Sequence, residues 1–261
     1  MTDSFGDVLR EWRQLRRMSQ MELGLSAGVS PRHVSFLETG RARPSRGMVL
    51  RLCDELEVPG SARNRWLTSA GLAPAYHSRA GDAPEMAPLI QAVDWMLSRH
   101  APYPAMAVDR HWCLKAMNKP AQAMFAATGL GAGDSLIDAL LDNPALAAAL
   151  ENRAEVERLS LTRLRTELAH FGHDPVLEQA VARLAERVAQ QPGAVDAPMP
   201  AVIPARYRLG EAVLSFFTTI TQFGATGDIA MSELRIEMFF PADDATRHAV
   251  QVLWGTATPG D

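Results

Sequence analysis

The chain has 261 residues, of which 47% are hydrophobic and 21% are charged, a composition typical of a folded globular protein rather than a disordered one. This length exceeds what one small core needs and suggests two domains. The formal net charge of −4 conceals an asymmetry, because residues 1–70 hold 11 arginines against 8 acidic residues, whereas residues 71–261 hold 15 basic against 22 acidic residues. A basic N-terminal unit joined to an acidic remainder predicts a polyanionic partner for one end only.

Simple features of the chain argue against several classes of protein. No apolar run approaches the roughly 20 residues that a membrane-spanning helix requires. The N-terminus is acidic and lacks the basic start and apolar stretch of a signal peptide. Cys53 and Cys113 lie far apart, which argues against a disulfide framework and against a cysteine-based zinc site. We therefore expect a reduced, cytoplasmic protein with no membrane partner.

The first seventy residues predict five short helices joined by tight turns. Apolar residues recur at helical spacing from Phe5 onward and indicate the first helix. Ser19 is a good N-cap, and Glu22 three residues later completes a capping box for the second helix. Ser30, followed by proline at the first helical position, opens the third helix. The last two helices follow the turns at Pro44-Ser45 and Pro59-Gly60-Ser61.

The second and third of these helices have the layout of a helix-turn-helix, in which the second helix enters the major groove of DNA. The block resembles the XRE family of Cro-like and phage-repressor-like regulators. The resemblance rests on features at that family's spacing: the Ser-Gln opening at Ser19, the Ala-Gly-Val-Ser turn at 27–30, Leu37-Glu38 before Gly40, and Pro44 after a basic loop. Their joint occurrence predicts binding to a double-stranded DNA operator.

The third helix supplies the candidate base readers. Its outward residues near the N-terminus reach base edges, and an aromatic ring there can contact a thymine methyl group. Side chains and N–H groups at helix N-termini can bind phosphate oxygens, and the basic loop after the helix follows the DNA backbone. The base-edge candidates are Arg32, His33, Ser35 and Phe36, and Pro31 is a further DNA-binding candidate on the same outward face. The phosphate candidates are Gln20, Ser30, Arg41, Arg43 and Arg46.

Three residues depart from the XRE pattern. Gly24 stands where alanine is usual, and Pro31 and Phe36 lie on the outward face of the recognition helix. These departures concern the DNA sequence that is read rather than the fold. The alternative interpretation of the whole block is a small helical bundle whose basic face only keeps the protein soluble. Glu38 is expected to pack or to form an ion pair inside the bundle.

Residues 72–88, rich in proline, glycine and alanine, are expected to link this unit (residues 1–71) to a second domain at 89–261. That domain begins with a helix over 89–98 and a hairpin with strands at 105–108 and 112–117. Asn118 then starts a helix, and 135–191 is helical in character. Two strands at 212–221 and 234–240 follow, and Asp243 or Asp244 caps a last helix that ends near Trp254.

The hairpin followed at once by a helix at Asn118 resembles the opening of a PAS-type sensor domain. Together with the helical stretch and the two C-terminal strands, the whole chain resembles the MmyB-like regulators, which pair an XRE-type domain with a PAS-like ligand-binding domain. This resemblance implies an α+β protein with an N-terminal helix-turn-helix bundle and a C-terminal five-stranded antiparallel sheet covered by helices. It also implies a small-molecule pocket with a fatty-acid-like occupant.

The composition of the second domain is compatible with such a pocket, because it supplies large and flexible apolar side chains. Core filling is an alternative role for each of them. Neighbouring residues of a strand face opposite sides of the sheet, so Phe216 and Phe217 cannot both point inward. Arg206, Arg208 or Arg235 can pair with a ligand carboxylate or remain solvated. The ligand-binding candidates are Trp112, Met117, Met124, Phe125, Phe216, Phe217, Phe223, Arg235 and Met238.

The sequence therefore predicts a regulator that binds DNA as a homodimer and responds to a small apolar ligand. The competing hypothesis is a DNA-binding regulator whose second domain is a ligand-free dimerisation or protein-interaction module. The pair His170 and His173 has no firmly spaced third metal ligand, and no nucleophile motif is present. We expect no cofactor, no metal and no enzymatic activity.

Overall fold

The computed structural model describes residues 4–76, 83–191, 203–224 and 228–255. Two compact units make up the chain: the first contains Met1–Ser78, Arg165–Pro175 and Gly227–Ile229, and the second contains Arg79–Leu164, Val176–Thr226 and Ala230–Asp261. The expected linker at 72–88 includes residues 77–82, which lie outside the described residues. The predicted boundaries at 71 and 88 stay predictions.

Five helices form the N-terminal part of the first unit, as the sequence predicts. Serine hydroxyls fix the start of four of them, because each accepts a hydrogen bond from the backbone N–H three residues ahead. The capping box of Ser19 and Glu22 is present as expected. The helices are α1 (Phe5–Leu15), α2 (Gln20–Ser26), α3 (Pro31–Glu38), α4 (Arg46–Glu55) and α5 (Gly60–Ser69).

These helices enclose one apolar core. Trp12 and Trp66 are its largest members and are almost completely buried. Phe5 packs edge-on against Trp66, with ring centroids 5.7 Å apart. The other core side chains come from every helix and are Val8, Leu9, Leu23, Ala27, Val34, Leu37, Val49, Leu52, Cys53, Leu56, Val58 and Leu67.

The remaining helices follow the predicted helical stretches closely, except for a short helix at Ile229–Ser232 that the sequence analysis did not predict. The region 135–191 divides into four helices because Asn143 ends one helix and caps the next, and Gly172, with a φ of +74°, follows another. Asp243, one of the two expected caps, accepts a hydrogen bond from Thr246 N–H. The helices are α6 (Ala87–Arg99), α7 (Lys119–Phe125), α8 (Leu136–Asp142), α9 (Pro144–Ala149), α10 (Arg153–Phe171), α11 (Pro175–Ala189), α12 (Ile229–Ser232) and α13 (Asp244–Trp254).

The second unit contains a five-stranded antiparallel sheet, which confirms the α+β class. Its order is β2-β1-β5-β4-β3. The hairpin of β1 and β2 and the strands β4 and β5 are predicted by the sequence, whereas the edge strand β3 is not. The strands are β1 (Ala105–Val108), β2 (Leu114–Met117), β3 (Ala205–Leu209), β4 (Ala212–Gln222) and β5 (Arg235–Pro241).

The hairpin differs from the prediction in one respect. Its second strand begins at Leu114 rather than at Trp112, because Trp112 has a φ of +61° and lies in the connection. The carboxylate of Asp109 holds this connection by accepting the backbone N–H groups of His111 and Cys113 at 2.9 and 3.0 Å. Trp112 is nevertheless buried, so its ring is directed by a loop and not by a strand.

Apolar side chains cover both faces of the sheet. We call the two sets the aromatic cluster and the α6 cluster. The aromatic cluster comprises Met106, Val108, Leu114, Met124, Phe125, Ala139, Leu146, Leu214, Phe216, Phe239 and Val250. The α6 cluster comprises Met86, Val93, Leu97, Ala105, Ala107, Met231, Leu234 and Ile236. The alternation of strand residues produces this division, since Phe239 belongs to one cluster and Ile236 to the other.

Candidate DNA-binding surface and ligand-binding domain

The turn between α2 and α3 is built by residues whose backbone preferences suit it. Gly28 adopts a φ of +65°, a conformation that favours glycine, and reverses the chain after α2. Ser30 caps α3 by accepting the N–H of His33 at 3.2 Å, and Pro31 occupies the first helical position. The two helices therefore meet in the arrangement that a helix-turn-helix requires.

Gly24 and Pro31, two of the departures from the XRE pattern, belong to a single close contact. A Cβ atom at Gly24 would lie 2.9 Å from the carbonyl oxygen of Val29 and 3.1 Å from the nitrogen of Pro31. Both neighbours are backbone atoms, so they cannot rotate away. Glycine at 24 thus permits α2 to approach the proline-containing start of α3.

Glu38 is the centre of a buried polar network at the end of α3, in the structural role expected for it. Its carboxylate accepts two hydrogen bonds from the Arg13 guanidinium at 2.6 and 3.1 Å and one from the Gln20 amide at 2.8 Å. Arg10 lies 3.6 Å away and also donates to the Glu38 backbone carbonyl at 3.1 Å. Burial alone raises the pKa of Glu38, but the hydrogen bonds from Arg13 and Gln20 and the arginine charges outweigh it and lower this pKa below its usual value.

The loop after α3 has a fixed conformation. Gly40, with a φ of +71°, donates to Leu37 O at 3.3 Å, and Arg41 donates to Phe36 O at 2.8 Å. These two bonds form a Schellman motif, the usual end of a helix that stops at glycine. The basic residues of this loop are therefore presented by an ordered backbone.

The predicted base readers lie on the outward side of α3. Arg32 and Pro31 are exposed, whereas His33, Ser35 and Phe36 are half-buried. The Arg32 guanidinium lies over the Phe36 ring, 5.2 Å from its centroid. Thr39 shares this side, one helical turn beyond, and sequence reasoning missed it.

The predicted phosphate contacts fall into two groups. Arg41 and Arg43 are exposed, and within the described part of the chain no carboxylate pairs with either. Gln20 and Arg46 have partners inside the unit: Gln20 donates to Glu38, and Arg46 donates to Ala73 O at 3.0 Å. The Ser30 hydroxyl caps α3.

In the second unit, four aromatic rings interlock within and beside the aromatic cluster. Phe239 is central, with ring centroids 5.9 Å from Phe216, 6.4 Å from Phe125 and 6.5 Å from Tyr207. Phe125 and Tyr207 also meet edge-on at 5.7 Å. Sequence reasoning missed Tyr207, because it lies on the unpredicted strand β3.

The predicted ligand-binding residues do not all meet. Met117, Met124, Phe125 and Phe216 belong to the aromatic cluster or pack against it, whereas Phe223 and Met238 pack against the α6 cluster on the other face. Phe216 is completely buried and Phe217 is 37% exposed, as strand alternation requires. Phe217 stacks on Phe240 at 5.6 Å.

The last two candidates, Trp112 and Arg235, lie in a charged region beside the aromatic cluster. Arg163 of α10 lies over the Trp112 ring at 4.2 Å and forms an ion pair with the buried carboxylate of Glu237. Arg235 is 3% exposed and donates to Arg110 O at 3.3 Å. Burial and the charge of Glu237 raise the pKa of Tyr207 above its usual value. The sequence carries no local signal for Arg163 or Glu237, which are 74 residues apart.

The described residues contain neither a membrane-spanning helix nor a cluster of metal ligands. None of their helices is long and apolar enough to cross a membrane. Nor do they contain a group of three or more His, Cys, Asp or Glu side chains placed to hold a metal ion.

Comparison with known proteins agrees with this architecture. A family model described as "Helix-turn-helix domain" matches residues 4–66. An uncharacterized HTH-type transcriptional regulator from Archaeoglobus fulgidus is 31% identical over 61 residues, which is 23% of this chain and 27% of that protein. A second family model, described as "MmyB-like transcription regulator ligand binding domain", matches residues 89–253, more than half of the chain. The chain belongs to this MmyB-like family: it carries a helix-turn-helix domain and an MmyB-like transcription regulator ligand-binding domain.

Proposed function

We propose that the protein binds a specific operator as a homodimer and that a small, largely apolar, fatty-acid-like ligand in the second domain controls this binding. The observation that carries the DNA part is the surface formed by α3 and its following loop. Arg32, Arg41 and Arg43 are exposed there, and among the described residues none of them has a carboxylate partner. Arginines of this kind supply both base contacts and phosphate contacts.

The homodimer follows from the size of one helix-turn-helix, which buries too little surface for tight specific binding. Two copies on half-sites about 34 Å apart would overcome this limit. Exposed apolar side chains of the second unit, Trp95, Phe217 and Val252, support a contact between copies there. Analytical ultracentrifugation of the full chain, free and with operator DNA, should show two copies on each operator; a monomer in both samples would refute the dimer.

The proposed ligand would use the apolar aromatic cluster for its chain and the neighbouring charged region for its head. Arg235 and Arg163 are two cations at this end of the sheet, and Arg163 already pairs with Glu237. A carboxylate head would compete with Glu237 for Arg163, while each buried CH₂ of the chain contributes about 0.8 kcal/mol. Such a ligand binds only the folded state and therefore raises its melting temperature.

One observation favours the competing function, a second domain without a ligand. The rings of Phe125, Tyr207, Phe216 and Phe239 already contact one another, as the residues of a filled core do. In that case the domain serves dimerisation or protein interaction alone. The two functions differ in what the purified protein retains and in how it responds to added lipid.

The deciding experiment is a thermal-shift panel on the full chain, preceded by native mass spectrometry of the protein as purified. We expect medium-chain and long-chain fatty acids to raise the melting temperature and short polar metabolites to leave it unchanged. Ala139→Leu, which enlarges a buried side chain of the aromatic cluster, should abolish the shift in a folded protein. Phe217→Leu, on the opposite face of β4, is the matched control and should keep the shift. A panel in which no apolar ligand moves the transition would establish the ligand-free function instead.

A further inference from the structure

The outward side of α3 forms a single narrow stripe. Arg32, Ser35, Phe36 and Thr39 recur at the i, i+3, i+4 and i+7 positions that share one helix face. Val34, Leu37 and Glu38 are buried on the opposite face and attach the helix to the rest of the bundle. Of the predicted DNA contacts on α3, Arg32, Ser35 and Phe36 lie in this stripe, and Pro31 and His33 lie beside it at the start of the helix.

Within the stripe, Arg32 and Phe36 form a contact one helical turn apart. The guanidinium carbon of Arg32 lies 5.2 Å from the Phe36 ring centroid. This contact uses the ring and not a hydrogen-bond acceptor, so the N–H donors of Arg32 remain available. It also restricts the rotamers of a long side chain, which reduces the entropy lost when Arg32 binds DNA.

The chemistry of the two side chains defines what they recognise. An arginine guanidinium matches the O6 and N7 acceptors of guanine in the major groove, and an apolar ring contacts the 5-methyl group of thymine. Neighbouring bases are about 3.4 Å apart along the helix axis. The helical twist adds to the distance between their major-groove edges and brings it nearer to the 5.2 Å between the guanidinium carbon and the ring centroid. A guanidinium and a ring held together therefore fit two neighbouring base pairs better than two distant ones.

We propose that Arg32 and Phe36 act as one reading unit for a guanine next to a pyrimidine that carries a 5-methyl group. Both residues determine specificity: Arg32 reads the guanine, and Phe36 reads the methyl group and positions Arg32. The methyl group can belong to thymine or to 5-methylcytosine. This inference rests on the proposed operator binding and extends it to the bases read.

A structural role for the same contact makes a different prediction. If the stack only stabilises α3, its loss weakens binding to every DNA sequence by the same factor. If the stack reads bases, its loss changes the ratio between sequences. The chain contains a comparable stack in the second unit, since Arg99 lies over Trp95 at 5.9 Å on α6. Arg99→Ala therefore serves as the matched control.

The test begins with selection of duplexes from a random library by the full-length protein. Base analogues then change single groups in the selected sequence: deoxyuridine removes only the thymine methyl, and 7-deazaguanine removes only the N7 acceptor. We expect the unmodified protein to bind the deoxyuridine duplex about fourfold more weakly, as loss of one buried methyl implies. The 7-deazaguanine duplex should lose about tenfold or more.

The variants assign these losses to residues. Phe36→Ala should bind the thymine and deoxyuridine duplexes equally, and Arg32→Ala should bind the guanine and 7-deazaguanine duplexes equally. Arg99→Ala should keep both affinity ratios of the unmodified protein, thymine against deoxyuridine and guanine against 7-deazaguanine. Replacing the T·A pair by C·G and then by 5-methyl-C·G distinguishes thymine from 5-methylcytosine as the source of the methyl group. Recovery of the affinity on methylation identifies the methyl group itself as the feature that is read. If the affinity does not recover, the site is restricted to thymine.

Two results would overturn the inference alone. One is a selected operator whose binding is indifferent to both analogues; the other is a Phe36→Ala protein that still distinguishes thymine from deoxyuridine. If selection enriches no sequence, the proposed operator binding fails together with the inference. The selection and the analogue measurements on the unmodified protein do not depend on whether a variant folds, so indifference to both analogues overturns the inference by itself.

Discussion

Gly6 of α1 lies in close contact with α3 in the first unit, and alanine there should destabilise the unit. A Cβ at Gly6 would lie 2.4 Å from the carbonyl oxygen of Glu38 and 3.0 Å from that of Leu37. An ordinary carbon–oxygen contact needs about 3.3 Å or more, so α1 would have to move away from α3. Overpacking of this kind lowers the free energy of unfolding by about 1–3 kcal/mol. The helix preference of alanine over glycine raises it by only about 0.5–1 kcal/mol.

A second glycine in the unit provides the control. Gly47 is the second residue of α4, as Gly6 is of α1, but nothing lies within 4 Å of a Cβ at Gly47. Gly47→Ala should therefore stabilise the unit by about 0.5–1 kcal/mol, because only the helix preference of alanine over glycine acts there. The two variants share the substitution and the helix position, so their difference of about 1–3 kcal/mol measures the contact with α3.

Hydrogen exchange of the full chain, followed by mass spectrometry on peptides from residues 4–71, reports the opening free energy of this unit separately from the second one. Gly6→Ala should also weaken DNA binding, because Arg10 donates to the same Glu38 carbonyl at 3.1 Å and a moved α1 disturbs the end of α3. The reasoning is refuted if peptides of Gly6→Ala exchange as slowly as those of Gly47→Ala.

Three further predictions concern buried groups. The pKa of Glu38 is lowered in the folded state, so the ionised carboxylate contributes its full stability above pH 4.5, the ordinary pKa, and this contribution is lost as the pH falls further. Glu38→Gln should therefore flatten the acid limb of a curve of unfolding free energy against pH, and an unchanged limb would contradict this. Phe216→Ala should cost about 3–5 kcal/mol and Phe217→Ala about 1 kcal/mol in urea unfolding, and equal losses would show that strand alternation does not control burial here. Arg163→Met should cost about 3–5 kcal/mol by leaving Glu237 buried without this partner, and adding Glu237→Gln should recover part of that loss; a double variant that is no more stable would refute the pairing.

The helices of the first unit could be predicted from the sequence because their signals are local. Ser19 and Ser30 cap the helices that they precede, and Gly28 and Gly40 adopt the positive φ values at which those helices end. Each signal acts within four or five residues, so no knowledge of the tertiary structure is needed. The same signals positioned α3, and with α3 the candidate base readers.

The strand β3 could not be predicted in this way. Its sequence, Ala-Arg-Tyr-Arg-Leu, has two arginines in five residues and resembles a solvated segment. It becomes a strand because it pairs with β4 from Ala205 opposite Phe216 to Leu209 opposite Ala212, and this pairing depends on the rest of the sheet. Tyr207, which completes the ring contacts around Phe239, was missed for the same reason.

The arginines of the first unit show why charge alone did not define the DNA-binding surface. Arg13 is as basic as Arg32, but its guanidinium is bound by the carboxylate of Glu38 and by the carbonyl of Met18. Glu38 reaches Arg13 across 25 residues of sequence, so only the fold shows that this positive charge is neutralised. Arg32 has no such carboxylate among the described residues. The buried carboxylate thus neutralises positive charge on α1 and leaves that of Arg32 on α3. Reversing the charge of Arg32 should therefore weaken DNA binding far more than reversing that of Arg99, an exposed arginine of the second unit.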